Sequence, residues 1–335
     1  MLSGPIRRLR SFLGRRSTRA RISEALDQAS STNTQRIDAL RRDVYAIVRH
    51  YTMPPEQLWQ NGASVAATNE PLEGIFTHST LCRQEHFDHP VYPYWAHRLN
   101  VGVRYHRKNW EFVFICQALH ERRKLQPGNR GLGFGVGREP LPALFAAHGC
   151  SVVGGDQPDE IARQSGWKSS NQHAIGKEAL RFPNIVSDSI FDTLVAFRAV
   201  DMNHIPEDLT GFDFCWSACA LEHLGSIEAG FDFVENSLTC LKSGGVAVHT
   251  TEFNLSSDSV TIDNERTVIF RAQDFRRLAA RLEAKGHKVA PLDFRIGSGP
   301  IDRYIDVPPY CENPHLRLLL SGFVSTSFGM IIERR

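Results

Sequence analysis

Four glycines alternate in the stretch Gly131-Leu132-Gly133-Phe134-Gly135-Val136-Gly137, and their chemistry is that of close approach. Each would cost a helix about 1 kcal/mol relative to alanine. A short strand ending in a tight turn uses them where backbone must come near a ligand. Residues 140–148 then read as a helix with prolines in its first turn, stopped by Gly149. Residues 151–155 read as a buried strand closed by Asp156. Strand, glycine-rich turn, helix, strand and acid form a nucleotide-binding βαβ unit. Ligands of such sheets lie beyond the carboxyl ends of the strands, which directs attention to residues 217–223 and 250–254. There His223, Glu252 and Asn254 are the polar groups suited to moving a proton or orienting a ligand.

The elements that must position these groups continue in alternation. Residues 169–180 suit a short helix capped by Ser169 or Ser170. Residues 194–200 form a third strand closing on Asp201-Met202, and 212–217 a fourth. A helix over 227–241 ends at Lys242-Ser243-Gly244-Gly245, before a fifth strand at 246–251 that contains His249. A helix from residue 274 to 285 gathers Phe275, Leu278, Ala279 and Leu282 on one face and stops at Gly286. Residues 288–295 and 323–333 read as two last strands, with a helical turn begun by Pro314 between them. Seven strands with helices between the early ones predict a doubly wound α/β sheet.

The amino-terminal part reads differently. The first 21 residues hold seven arginines and no acid. Leu2, Ile6, Leu9, Phe12 and Leu13 share one helical face, which suits a basic amphipathic helix drawn to anionic lipid. The same composition fits an organelle transit peptide or a disordered tail. Apolar residues recur at helical spacing through 22–51, predicting two helices or one interrupted at 30–34, packed on the rest of the chain or on a second copy. Met53-Pro54-Pro55 ends that segment, and 62–80 reads as a loop. Glu85, His86, Asp88 and His89 lack standard metal-ligand spacing and suit a polar substrate-facing or structural segment. Tyr105-His106-Arg107-Lys108, before a helix over 109–124, is either a clamp for an anionic group or a solvated helix entry. These readings divide residues 1–125 into a basic helical extension (1–60) and a cap or linker with a helix (61–125).

The net charge of +2 gives no field directed at nucleic acid, and no aromatic-and-basic array for stacking bases is present. The seven cysteines are scattered without a CxxC pair, as expected of buried thiols in a reducing, cytoplasmic setting. No apolar run approaches the ~18–20 residues of a membrane span, so any membrane contact is expected to be peripheral, through residues 1–21.

A dinucleotide fingerprint would need glycine at 136 or 138, where Val136 and Arg138 stand; this disfavours an NAD(P)-dependent oxidoreductase. The pattern Gly133-Phe134-Gly135-Val136-Gly137 resembles instead the first motif of class I, Rossmann-like S-adenosylmethionine (SAM)-dependent methyltransferases. Further landmarks follow in order: Asp156, Asp201-Met202, Phe212-Asp213-Phe214, Leu221-Glu222-His223-Leu224, and Leu241-Lys242-Ser243-Gly244-Gly245, similar to that family's turn before the fifth strand. The resemblance covers 126–335, which it implies is a SAM-binding methyltransferase domain. It implies SAM held by Gly133, Gly135, Gly137, Asp156 on the ribose hydroxyls, Asp201 and Met202 on the adenine, and Ser217 at the end of the fourth strand. Trp167 is either a stacking partner for adenine or simple cover. The acid that family carries two residues before its first glycine is here Gly131, and Glu139 is its substitute. Methyl transfer then needs mainly alignment, plus a base for an oxygen nucleophile; His223 and Glu252 are the candidates. The expected acceptor is a small molecule or saccharide, and a homodimer is open. The competing reading is a catalytically silent SAM-fold binding or scaffold module.

Overall fold

The computed structural model describes residues 5–60, 62, 65–158 and 173–335, the side chains of 5–21 and 25 excepted. The chain divides into two compact units at Tyr51 and Thr52. The first is one continuous helix, α1 (Pro5–Thr52). The polar stretch 30–34 does not interrupt it, because it holds no glycine or proline and its hydroxyls bond back to the preceding turn. Thr32 donates to the Gln28 carbonyl at 2.9 Å and Thr34 to that of Ser30 at 3.0 Å. Pro54 and Pro55 stop the helix. The apolar side chains expected on 2–13 lie outside the described residues.

The second unit is a ten-stranded sheet. Its elements in chain order are β1 (Ser79–Leu81), α2 (Gln84–Phe87), α3 (Val91–Arg98), α4 (Arg107–Glu121), β2 (Arg130–Phe134), α5 (Leu141–Ala147), β3 (Ser151–Asp156), α6 (Asp188–Leu194) and β4 (Val195–Ala199). After these come β5 (Phe212–Ala218), α7 (Ile227–Thr239), β6 (Leu241–Asn254), α8 (Ala272–Ala284), β7 (Lys288–Val289), β8 (Leu292–Asp293), α9 (Pro300–Arg303), β9 (Leu318–Leu320) and β10 (Phe323–Glu333). The strand order is β4-β3-β2-β5-β6-β10-β1-β8, with β7 and β9 paired to β10. From β4 to β6 every pairing is parallel, and β10 enters antiparallel beside β6.

The doubly wound α/β sheet is as expected, but it has ten strands rather than seven. The stretch 288–295 splits into β7 and β8 because Pro291 has no N–H to give to a ladder. β9 and β1 were not expected. β1 overlaps the end of 62–80, read from sequence as loop, and pairs with both β10 and β8. The expected boundary near residue 125 therefore does not appear: 52–335 form one unit, and α4 packs on β10, β6 and β5. The helical turn expected at Pro314 is absent. His315 instead bridges to His106, and the short helix there is α9. Of the helix expected over 169–180, the described residues 173–180 are non-helical up to residue 176 and end in a 3-10 turn at Lys177–Leu180.

Both faces of the sheet are apolar. Trp95, Trp110, Phe114, Phe145, Phe214 and Trp216 build the core beneath α3, α4 and α5. Phe231, Phe233, Phe275, Leu278, Leu282 and Phe328 build the other beneath α7 and α8. At about 25 cal/mol per Å2 of buried apolar surface, these two layers hold the strand ends in place. Among the described residues no helix is long and apolar enough to cross a membrane.

Candidate active site

A cleft of about 490 Å3 opens beyond the carboxyl ends of β2, β3, β5 and β6. One wall is made largely of backbone. After β2 the chain turns through Gly135 and Gly137, both left-handed with φ of 60° and 50°. A Cβ on Gly135 would lie 2.7 Å from that of Ala220, so only glycine lets the turn meet the loop after β5. Asp156 at the end of β3 steadies the turn. Its carboxylate accepts from the backbone N–H of Gly137 (3.1 Å), Ala174 (2.8 Å) and Gln157 (2.8 Å).

Gly131 and Gly133 serve packing instead. β5 lies beside β2 with Phe214 opposite Gly131 and Trp216 opposite Gly133. A Cβ at either glycine would lie 2.4 Å from the facing ring. No acid fits at position 131, because an aromatic ring fills its place. Glu139 supplies a carboxyl from just beyond the turn. It is buried, lines the cleft, and accepts the Trp216 indole N–H at 2.5 Å. Burial pushes this carboxyl up to about 8, with Lys108 and the indole N–H opposing and Asp156 and Glu111 adding to the rise.

The remaining residues expected at the cofactor separate into two groups. Met202 lines the cleft. Asp201 does not; it accepts from the Asn203 N–H and pairs with His204 Nδ1, each at 2.9 Å, and so holds its own turn. Ser217 is wholly buried against His249 Nδ1 at 2.9 Å, and His249 Nε2 lies 3.2 Å from Ser237 Oγ. Burial drives His249 down to about 3, leaving a neutral imidazole inside the sheet. Asn254 is likewise structural, donating to the Val260 carbonyl at 3.0 Å. Trp167 lies outside the described residues.

The opposite wall is made of side chains from the start of α4. His106 caps that helix by accepting the Lys108 N–H on Nδ1 at 3.1 Å, which leaves its proton on Nε2. Burial, with His315 and Arg107 nearby, drives it down to about 3. Arg107 joins Glu252, Glu111 (3.4 Å) and Ser327 Oγ (3.1 Å). Lys108 donates to the Ala218 carbonyl at 2.7 Å and pairs with Glu111 at 3.2 Å. Glu111 is fully buried. Burial alone would raise its carboxyl, but Lys108 and Arg107 outweigh that and hold it below the usual range. Cys219 sits over this network in left-handed backbone, φ 51°, its thiol 2.9 Å from Glu111. Strained backbone of this kind concentrates at functional sites.

His223 and Glu252 both reach the cleft, on different terms. The Glu252 carboxylate is taken up by Arg107 and Ser325. His223 Nδ1 lies 3.2 Å from the Arg266 carbonyl and 3.1 Å from Thr267 Oγ1. A carbonyl only accepts, so Nδ1 carries the proton and Nε2 the lone pair. Nε2 stands 4.0 Å from buried Glu222, whose carboxyl is raised by burial and by the nearby Glu252. Cys219, Glu222 and Glu252 could bring ligand atoms within 4.8 Å of one another, but Arg107 already supplies the cation at Glu252. The histidine-rich segment ahead is structural: His86 is buried and accepts the Trp110 indole N–H at 2.9 Å.

The parallel run β4-β3-β2-β5-β6, followed by a reversed β10 and a cleft at the glycine turn, decides the architecture. The fold is of the Rossmann-like methyltransferase type. Neither the models of known families nor the curated proteins contain a match to this sequence. Among solved structures the chain is similar to a TehB-like SAM-dependent methyltransferase from Corynebacterium glutamicum, with 13% identity over 75% of this chain and 99% of that one, at a TM-score of 0.36. It is also similar to TehB from Haemophilus influenzae, at 12% identity, 73% and 67% coverage and a TM-score of 0.39. A third is the N-terminal domain of EvdMO1, crystallised in the presence of SAH and D-fucose, at 14%, 65% and 83%, and 0.37. Sequence reasoning offered Arg107 and Lys108 as a possible clamp on this cleft but missed the buried Glu111 behind them, which pairs with both. The signal was the i,i+4 spacing of Arg107 and Glu111 just inside a helix of otherwise apolar residues.

Proposed function

We propose that the protein is a SAM-dependent methyltransferase that methylates a hydroxyl of a small-molecule or saccharide acceptor. The observation that supports this best is the lining of one cleft by Gly135, Gly137, Glu139, Asp156 and Met202. Asp156 holds the turn and takes the ribose hydroxyls, Met202 covers the adenine, and Glu139 takes the ammonium. Gly133, Asp201 and Ser217 act from behind these residues. His223 is the base: its Nδ1–H is anchored and its Nε2 would receive the proton of the acceptor hydroxyl, while SAM, when bound, would supply the methyl group and be left as the neutral thioether. Glu252 positions Arg107, whose wall with His106 and Lys108 offers donors to a hydroxyl-rich acceptor.

Calorimetric titration with SAM, followed by mass spectrometry of a metabolite extract for species heavier by one methyl, tests the reading. His223→Ala is expected to keep SAM affinity and lose turnover, and unimpaired turnover removes it as base. SAM binding with no methylated product from any extract would favour the silent binding module. For residues 1–21 we propose a contact with anionic lipid; flotation with phosphatidylserine vesicles that is unchanged on their deletion would reject it.

A further inference from the structure

The exposed face of α1 is unused by anything described above. Counting 100° per residue, Ile22, Leu26, Ala29 and Asn33 fall on one line with Leu40, Val44, Ile47 and Tyr51, each 18 residues further on (40 − 22), and Ile37 lies between the two sets. All nine sit within an arc of about 80° on a straight helix. The stripe stays on one face for 30 residues (22 to 51), about 45 Å at 1.5 Å per residue. Its large apolar members are between 50% and 81% exposed. A stripe this narrow is the seam of a helix pair rather than the broad face of a globular helix.

We propose that α1 pairs with α1 of a second copy, parallel and in register, to make the protein a homodimer. Three features point to a second copy. Parallel, in-register pairing sets each stripe residue against its own copy, so Ile22, Leu26, Ile37, Leu40, Val44 and Ile47 each meet an apolar partner. Its one amide, Asn33, sits mid-seam, where only another amide satisfies it; parallel pairing sets Asn33 against Asn33, whereas antiparallel pairing sets it against Leu40. Residues 22–51 carry four acids (Glu24, Asp27, Asp38, Asp43) and four bases (Arg36, Arg41, Arg42, Arg49), so this segment has no net charge to draw it to an anionic surface. An average spacing near 3.6 rather than 3.5 predicts two nearly straight helices with little supercoil.

Sedimentation velocity of the full chain at about 10–50 µM is the test, and the expected mass is twice the 37.7 kDa of the chain. The double variant Leu40→Glu/Ile47→Glu is expected to sediment as one chain while the thermal transition of the 52–335 unit is unchanged. Oxidised Ala29→Cys is expected to give a covalent dimer, because only parallel pairing brings two Ala29 together. A wild-type chain that stays at 37.7 kDa, or a double variant that still dimerises, overturns the proposal. So does a monomeric wild type whose binding to phosphatidylserine vesicles is lost in the double variant, since the seam would then be a lipid face. A dimer in which Ala29→Cys never cross-links overturns the parallel register.

Discussion

On the β2–β3 side of the cleft, Gly135, Val136, Gly137, Arg138, Glu139 and Asp156 all come from 22 consecutive residues (135 to 156), and two of them are glycines that present only backbone. On the α4 side, one hydrogen-bonded network draws Arg107 and Glu111 from one helix, Cys219 from the β5 loop, Glu252 from β6 and Ser327 from β10. The first wall depends on turn geometry and tolerates little change in shape. The second depends on charge balance among buried groups and tolerates little change in charge. The cleft thus has a locally encoded wall beside one assembled at long range.

The largest expected effect lies in the charge-balanced wall. Arg107→Met leaves Glu252 and Glu111 buried without their shared cation, and should destabilise the 52–335 unit by about 3–5 kcal/mol, read by denaturant unfolding. If stability is nearly unchanged, the second wall is not held by charge. Next, Gly135→Val puts a β-branched side chain at positive φ and against Ala220. It should weaken SAM binding at least 100-fold in calorimetry, about 2.8 kcal/mol at 1.4 kcal/mol per tenfold. Wild-type affinity would mean that the turn does not approach the ligand.

Smaller effects sharpen the contrast. Glu139, pushed up to about 8, is protonated at neutral pH and must ionise to meet an ammonium. SAM affinity should therefore rise with pH from 6 to 8, by at most tenfold per unit, and Glu139→Gln should flatten the slope. The sign for stability is opposite. The folded state holds a proton that the unfolded carboxyl loses above the ordinary value of about 4.3, so stability from this group falls between that value and 8. Glu139→Gln should accordingly raise the thermal midpoint at pH 8 and leave it nearly unchanged at pH 4. The smallest effect separates the two acids at the ends of β3 and β4. Asp156→Asn should cost SAM affinity tenfold or more, whereas Asp201→Asn, which only loosens a turn bond to His204, should cost under about 1 kcal/mol. Equal losses would place Asp201 in the cleft.

The sequence made the local wall readable because its signals are short in range. Alternating glycines, a stop at Gly149 and an acid closing a buried strand need no knowledge of distant partners. The strands β2, β3, β5 and β10 were legible for the same reason. What escaped was decided by partners far along the chain. β1 is three residues long and exists only because β10 and β8 flank it. The role of Arg107 depends on Glu252, which is 145 positions away (252 − 107). Gly133 looked like a ligand contact, and only the register with β5 shows that it makes room for Trp216. Ser217 and Asp201 were assigned by position alone, and position does not reveal that a neighbouring histidine has already engaged each of them.

The bond from Trp216 to Glu139 has a practical consequence for optical work on this protein. An indole whose N–H points at a titrating carboxyl changes its emission when that carboxyl gains or loses charge, because the excited-state dipole responds to the field. Trp216 is wholly buried, so solvent does not blur the signal. Trp216 is therefore an intrinsic reporter on the Glu139 carboxyl, and the part of the emission that Trp216→Phe removes separates it from that of the four other tryptophans.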